Sequence, residues 1–227
     1  MDANQKKALL NYFQEYITEE RRALFNRVLQ QRTRHITVVL EDIFQPHNAS
    51  AVLRSCDLTG VQDVHIIEKR NEYNVNPDVA LGSSKWLNLI KYNDNEDNTK
   101  AAYQALRERG YRIIATTPHK NDFTPENIPL EGKMAIVLGT ELNGLSNEAI
   151  EMADEYLRIP MYGFTESYNI SVSAALILYT LTKRLRDSEI NWQLSEEEKT
   201  DILLEWSRRS IKRSEVFERE FFRKLKS

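Results

Sequence analysis

Two kinds of hydrophobic pattern divide this chain. Toward both ends apolar residues recur at helical spacing, and between them they gather into short unbroken runs. Residues 3–31 place Leu9, Tyr12, Phe13, Tyr16, Ile17, Leu24 and Val28 along a helical stripe, which predicts one or two amphipathic helices. The runs at 36–40 (ITVVL), 63–68 (DVHIIE), 87–92, 112–116 (RIIAT), 135–138 and 156–159 are short, rich in branched residues and bounded by polar or turn residues, as buried strands are. Helical stretches alternate with them. One is capped by Asn48 or Ser50, carries Val52, Leu53 and Leu58, and ends at Gly60, with Pro46 and His47 assigned to the loop before it. Another covers 96–109 and stops at Gly110. A third starts near Ser146, and a long one runs from Ser167 or Asn169 to about Arg186. Residues 71–85 predict no clear element, and 117–133, with three prolines, predict a loop. From Ser195 the pattern turns helical again, with Ser195 and Glu198 placed to form a capping box.

Strands alternating with helices predict an α/β fold with a mainly parallel sheet and helices on both faces. The expected organisation is a helical extension over 1–34, an α/β domain over 35–187 and a basic helical extension over 188–227. In such a sheet, ligands collect beyond the carboxyl ends of the strands. The runs at 135–138 and 156–159 each empty into a loop of Gly, Thr, Glu, Ser and Asn, so these two loops form the candidate site. Polar residues there fall in three clusters: Asn48, Ser50 and Arg54; Gly139, Thr140, Glu141, Asn143 and Gly144; and Ser167, Tyr168 and Asn169, with Ser171 and Ser173 behind. Arg54, six residues after Asn48 and expected on the second helical turn, suits either a fork onto a phosphate oxygen or a surface ion pair. Asn169 suits either the site or simple capping. The Gly-rich signatures of dinucleotide and P-loop sites are absent, and so is a nucleophile elbow.

Charge changes the picture more than composition does. The 227-residue chain has a formal net charge of −3, yet its basic residues gather near the ends. Residues 205–227 hold eight Lys/Arg against four Glu, and 19–36 hold five Arg against two Glu. Those ends form either a cationic surface for nucleic acid or two solvated helix faces. The single cysteine, Cys56, excludes an intramolecular disulfide, and four histidines without metal-binding spacing argue against a metal site. With neither an 18-residue apolar run nor a secretory pattern at the N-terminus, no membrane partner is expected and the cytoplasm is the expected compartment.

Three segments then acquire a joint meaning. HNASAVLRSCDLTGV, IVLGTELNGL and IPMYGFTESYNISVSAA, in order from His47 to Ala175, resemble the three motifs of the SPOUT-class RNA ribose 2′-O-methyltransferases. With helical extensions at both ends, the chain is most similar to the branch of that class that methylates guanosine 18 in the D-loop of tRNA. The resemblance implies a C-terminal trefoil knot, S-adenosylmethionine as cofactor, tRNA as substrate and a homodimer packed through the knot helices, with Ser171, Ser173, Ala174 and Ala175 as a small-residue face. It implies a cofactor pocket at Thr116, Leu138, Gly139, Ile159, Met161 and Tyr168, where small and apolar residues let the backbone approach adenine. It further implies Arg54 as the base or as a clamp on phosphate and alkoxide, and Asn48 orienting Arg54 or the ribose. Glu141 would hold the motif loops or the subunit contact, and Ser167 and Asn169 would shape the cofactor and ribose site. Tyr168 stands where the class often has Leu. The same chemistry on ribosomal RNA or another tRNA position, and a silent RNA-binding relative, are the alternatives. The presence of both Arg54 and Asn169 argues against the silent one.

Overall fold

In a computed structural model, which describes all residues except 72, 74–79, 81, 121, 141–142 and 226–227, the chain forms two units. One is Thr33–Trp192, and the other joins Met1–Arg32 to Gln193–Ser227.

The larger unit is a six-stranded sheet, parallel throughout. Its strands are β1 (Ile36–Glu41), β2 (Asp63–Ile67), β3 (Asn88–Tyr92), β4 (Tyr111–Thr116), β5 (Lys133–Leu138) and β6 (Glu155–Leu157), in the spatial order β3-β2-β1-β5-β4-β6. Alternate residues face opposite sides, as the pleat requires. Ile36, Val38 and Leu40 join a core with Val52, Leu53, Ile177 and Leu181, while Val39 joins Ala135, Val137, Tyr103 and Leu106 on the other side. Helices α3 (Pro46–Thr59) and α6 (Ile170–Arg186) thus cover one face, and α4 (Asn98–Glu108) and the short α5 (Asn147–Glu151) cover the other.

The helix after β1 starts earlier than its sequence suggests. Pro46 and His47 belong to α3, which is entered from Gln45 without a side-chain cap. Proline at the first helical position loses nothing, because its missing N–H would find no helical partner there. Neither Asn48 nor Ser50 is the cap, and the Ser50 hydroxyl instead donates to the Pro46 carbonyl at 2.6 Å. Arg54 therefore lies on the third turn. Leu58, expected in the buried stripe, is 76% exposed. The helix stops at Gly60, whose φ of 86° suits a residue without a side chain.

At the far edge, β6 is shorter than the run at 156–159. It pairs with β4 on one side and bridges Phe123 through Leu157 on the other, where the Arg158 N–H donates to the Phe123 carbonyl at 2.9 Å, and Ile159 lies in the loop that follows. Residues 158–169 then pass the carboxyl ends of β4 and β5 before α6 packs on α3.

The second unit consists of α1 (Ala3–Gln14), α2 (Glu19–Leu29), α7 (Glu196–Ser210) and α8 (Ser214–Leu225). Leu9, Leu10, Phe13 and Leu204 form its centre, with Tyr12, Phe217 and Phe221 against them. The capping box at Ser195 and Glu198 is present, and a second one stands at Asp2 and Gln5. No helix among the described residues is long and apolar enough to cross a membrane.

Candidate active site

A cavity of about 330 Å³ opens at the carboxyl ends of β4 and β5. Thr116, Leu138, Gly139, Ile159, Met161 and Tyr168 all line it, as does Ser167. Leu157, Ile170 and Ile177 complete one wall, and Asn143, Gly144 and Leu145 make another. Ser173, which the sequence places behind the third cluster, borders it too, as do His119 and Glu166, which nothing in their spacing marked. His119 was within reach of the rule that sites gather past strand ends, since it lies three residues beyond β4. The Thr116 hydroxyl is committed elsewhere, donating to the Val137 carbonyl at 2.7 Å, so this residue closes the sheet end rather than offering an O–H.

Gly139 owes its size to its own loop. A Cβ there would overlap the backbone of Gly144 and Leu145. The loop folds back on itself through Thr140 N–H to Gly144 O at 2.9 Å and the reverse bond at 3.0 Å, with Gly144 at a φ of 65°. Glycine at this position therefore answers a need internal to the loop, while its backbone also lines the cavity. Glu141 lies outside the described residues.

Asn48 and Asn169 meet beside this cavity. Asn48, only 4% exposed, receives a hydrogen bond on Oδ1 from Asn169 Nδ2 at 3.2 Å and donates from Nδ2 to Gln45 Oε1 at 3.0 Å. Asn169 Oδ1 in turn accepts from the Ser171 N–H at 2.9 Å and the Ser171 hydroxyl at 2.6 Å. Asn169 thus both caps α6 and ties it to the first turn of α3.

Arg54 stands apart from this pair. It is exposed and borders a separate apolar groove between α3 and α6, together with Leu58, Val172, Leu176 and Tyr179. The expected small-residue face of α6 is split by the helical period. Ala174 is in the core, Ser173 borders the cavity, and only Ser171 and Ala175 reach the groove. Among the described residues no group of His, Cys, Asp and Glu is arranged to hold a metal ion.

Residues 35–179 match the SpoU rRNA methylase family. The chain belongs to that family. Among its relatives, a tRNA (guanosine(18)-2′-O)-methyltransferase of Borreliella burgdorferi is 48% identical over 204 residues, 90% of this chain and 92% of that protein. The crystal structure of the A. aeolicus TrmH/SpoU tRNA modifying enzyme superposes with a TM-score of 0.76 at 30% identity, covering 86% of this chain and 98% of that one. The SpoU methyltransferase AviRb from Streptomyces viridochromogenes, solved in complex with the cofactor AdoMet, shares the fold at 20% identity, with a TM-score of 0.59 over 72% of this chain and 62% of its own. All three motifs fall within the family match, and the cavity formed by the second and third borders the junction with the first.

Proposed function

We propose that this SpoU-family chain transfers a methyl group from S-adenosylmethionine to the ribose 2′-hydroxyl of a guanosine in tRNA, at position 18 of the D-loop. The observation that carries the reading is the Asn169–Asn48 hydrogen bond, which joins the first motif to the third at the edge of a cavity built by the second and third. The substrate assignment draws on the Borreliella burgdorferi relative, whose likeness runs through both terminal extensions as well as the central unit.

The cavity fits the cofactor's chemistry. Its volume is in the range of small-molecule sites, with an apolar wall at Leu138, Leu157, Ile159 and Ile177 for a purine and backbone groups around Gly139 and Gly144 for polar edges. Met161, Ser167 and Tyr168 would hold the remainder, and Thr116 the floor. When bound, the cofactor supplies an electrophilic methyl with its own leaving group. The chain's residues then have two tasks, orienting the hydroxyl and managing one proton. Asn48 and Asn169, locked to each other, are placed to orient the ribose. A guanidinium offers five N–H donors and no acceptor, so Arg54 serves as a clamp on phosphate and a stabiliser of the developing alkoxide. Glu141 is assigned to holding the second-motif loop or the subunit contact.

Arg54 and the apolar groove beside it also support a homodimer. A second copy over Leu58, Val172, Leu176 and Tyr179 would bury that surface and bring the two Arg54 faces together. The knot that the class implies is assigned to a segment including the second and third motifs, a reading supported by residues lining the cavity from both. The cytoplasm, where tRNA is available, is the proposed compartment.

The test is to incubate the purified protein with S-adenosylmethionine and unmodified tRNA, digest with nuclease, and analyse the nucleosides by mass spectrometry. A 2′-O-methylguanosine mapped to the D-loop is the expected product. Methylation of ribosomal RNA instead would move the substrate, in keeping with the rRNA methylase name the family carries. RNA binding without methylation would overturn the reaction.

A further inference from the structure

Glu41, at the carboxyl end of β1, lies outside the cavity and is only 2% exposed. Burying a carboxylate is costly unless donors surround it. Glu41 has four. Oε2 accepts from the Ser146 N–H at 2.9 Å, and Oε1 accepts from the Ser146 hydroxyl at 2.6 Å, from Thr99 Oγ1 at 3.1 Å and from Lys69 Nζ at 3.0 Å. Lys69 also reaches Glu148 on α5 at 2.9 Å. The Lys69 ammonium is desolvated by burial, yet hydrogen bonds to Glu148 and Glu41 raise its pKa overall, so it stays charged in this network.

Two of these bonds go to one residue, and Ser146 is where the second-motif loop ends. The loop leaves β5 at Gly139, folds back at Thr140 and Gly144, and finishes at Ser146, which caps α5 by accepting from the Ala149 N–H at 3.2 Å. At its entry the loop is fixed by the contact of Gly139 with the Gly144 and Leu145 backbone. Glu41 fixes its exit. Between the two anchors lie Asn143, Gly144 and Leu145, one wall of the cavity.

We infer that Glu41 is a positioning residue for the cofactor site, holding the Asn143–Leu145 wall in binding geometry through its paired grip on Ser146. This rests on the reading that the cavity holds S-adenosylmethionine. Glutamine at position 41 keeps the shape but presents one acceptor oxygen and one NH2 group. It therefore cannot satisfy the Ser146 N–H and the Oε1 donors together.

The experiment measures S-adenosylmethionine affinity by calorimetry on full-length folded protein, with thermal melting alongside. Glu41→Gln should weaken cofactor binding by about tenfold or more, the scale of a lost hydrogen bond to a charged group. The KM for the cofactor should rise in step, with kcat at saturating cofactor within about twofold of the parent. Ser146→Ala, which removes the hydroxyl bond to Glu41 together with the cap of α5, should weaken binding in the same direction. The double variant should lose less than the sum of the two single losses, because both remove the contact between Glu41 and the Ser146 hydroxyl. A lower Tm with unchanged cofactor affinity in both single variants would overturn the inference and leave Glu41 as a structural brace. Ile159→Trp, which fills the cavity, separates the two levels. If it still binds cofactor, the cavity assignment fails and this inference with it. If it loses binding while the Glu41 and Ser146 variants keep it, only the inference about Glu41 fails.

Discussion

Arg54 is exposed on the wall of an apolar groove, and that position limits what its guanidinium can do. The buried apolar residues of α3 are Ala49, Val52, Leu53 and Cys56, spaced at one helical stripe, whereas Arg54 and Leu58 lie four apart on the opposite side. A side chain there borders the groove and is not among the residues that line the cavity. Arg54→Ala should therefore abolish methyl transfer while leaving S-adenosylmethionine affinity within about twofold, a separation that calorimetry and a methylation assay read independently. Arg54→Lys should restore less than about one-tenth of the rate, since an ammonium is a point charge and cannot fork onto a phosphate and an alkoxide together. Equal losses of cofactor affinity and rate would instead place Arg54 at the cavity.

Each helix is set by its ends, and at the start of α6 the end is also the site. Asn169→Ala removes the acceptor that caps the helix and should cost about 1 kcal/mol, read as a lower Tm. Asn169→Asp keeps an acceptor for Ser171 but has no N–H to give Asn48. Its Tm should stay near the parent's while methylation falls at least about tenfold, a result that capping alone would not produce. This cap was legible as one of two alternatives because an amide ahead of an apolar stripe is a helix start. The start of α3 was not, because proline reads as a breaker until its position in the first turn is known. The strands were legible from short branched runs, but the length of β6 depended on Arg158 pairing with Phe123, a contact between distant loops. The cavity residues were found through their motifs, and the split of α6 into cavity and groove faces needed the packing of α3 against it. At the other edge of the sheet from the cavity, β2 and β3 hold a polar pair that sequence could not foretell. His65 is fully buried, its Nδ1 lies 2.9 Å from the Tyr92 hydroxyl, and its Nε2 has no hydrogen-bond partner among the described residues. Desolvation lowers its pKa to about 4. The unfolded chain therefore takes up a proton near pH 6.5 that the folded one refuses until about 4. Stability from this residue is complete above pH 6.5 and is lost as pH falls toward 4, by about 3 kcal/mol. His65→Phe should flatten that part of the denaturation profile.

On the scale of the whole molecule, the net charge of −3 conceals a division of labour between the two units. The terminal unit spends part of its basic charge internally. Arg208 is paired with Glu218 and Glu205, and Lys224 with Glu220 at 3.0 Å. Lys212, at the turn between α7 and α8, and Arg223, late in α8, are exposed. Exposed cations that neutralise RNA phosphates release counterions, so affinity falls with salt by a slope set by the number of contacts, about 0.7–0.9 per phosphate. If the terminal unit grips tRNA, replacing Lys212 and Arg223 with alanine should weaken binding and lower that slope by about 1.5 in total. Cofactor affinity should not move, because the cavity is built wholly from the other unit. Filter binding of tRNA across a salt series, with and without the double substitution, reads both quantities. An unchanged slope would return the basic tail to the role of a solvated helix face and leave substrate choice to the loops around the cavity.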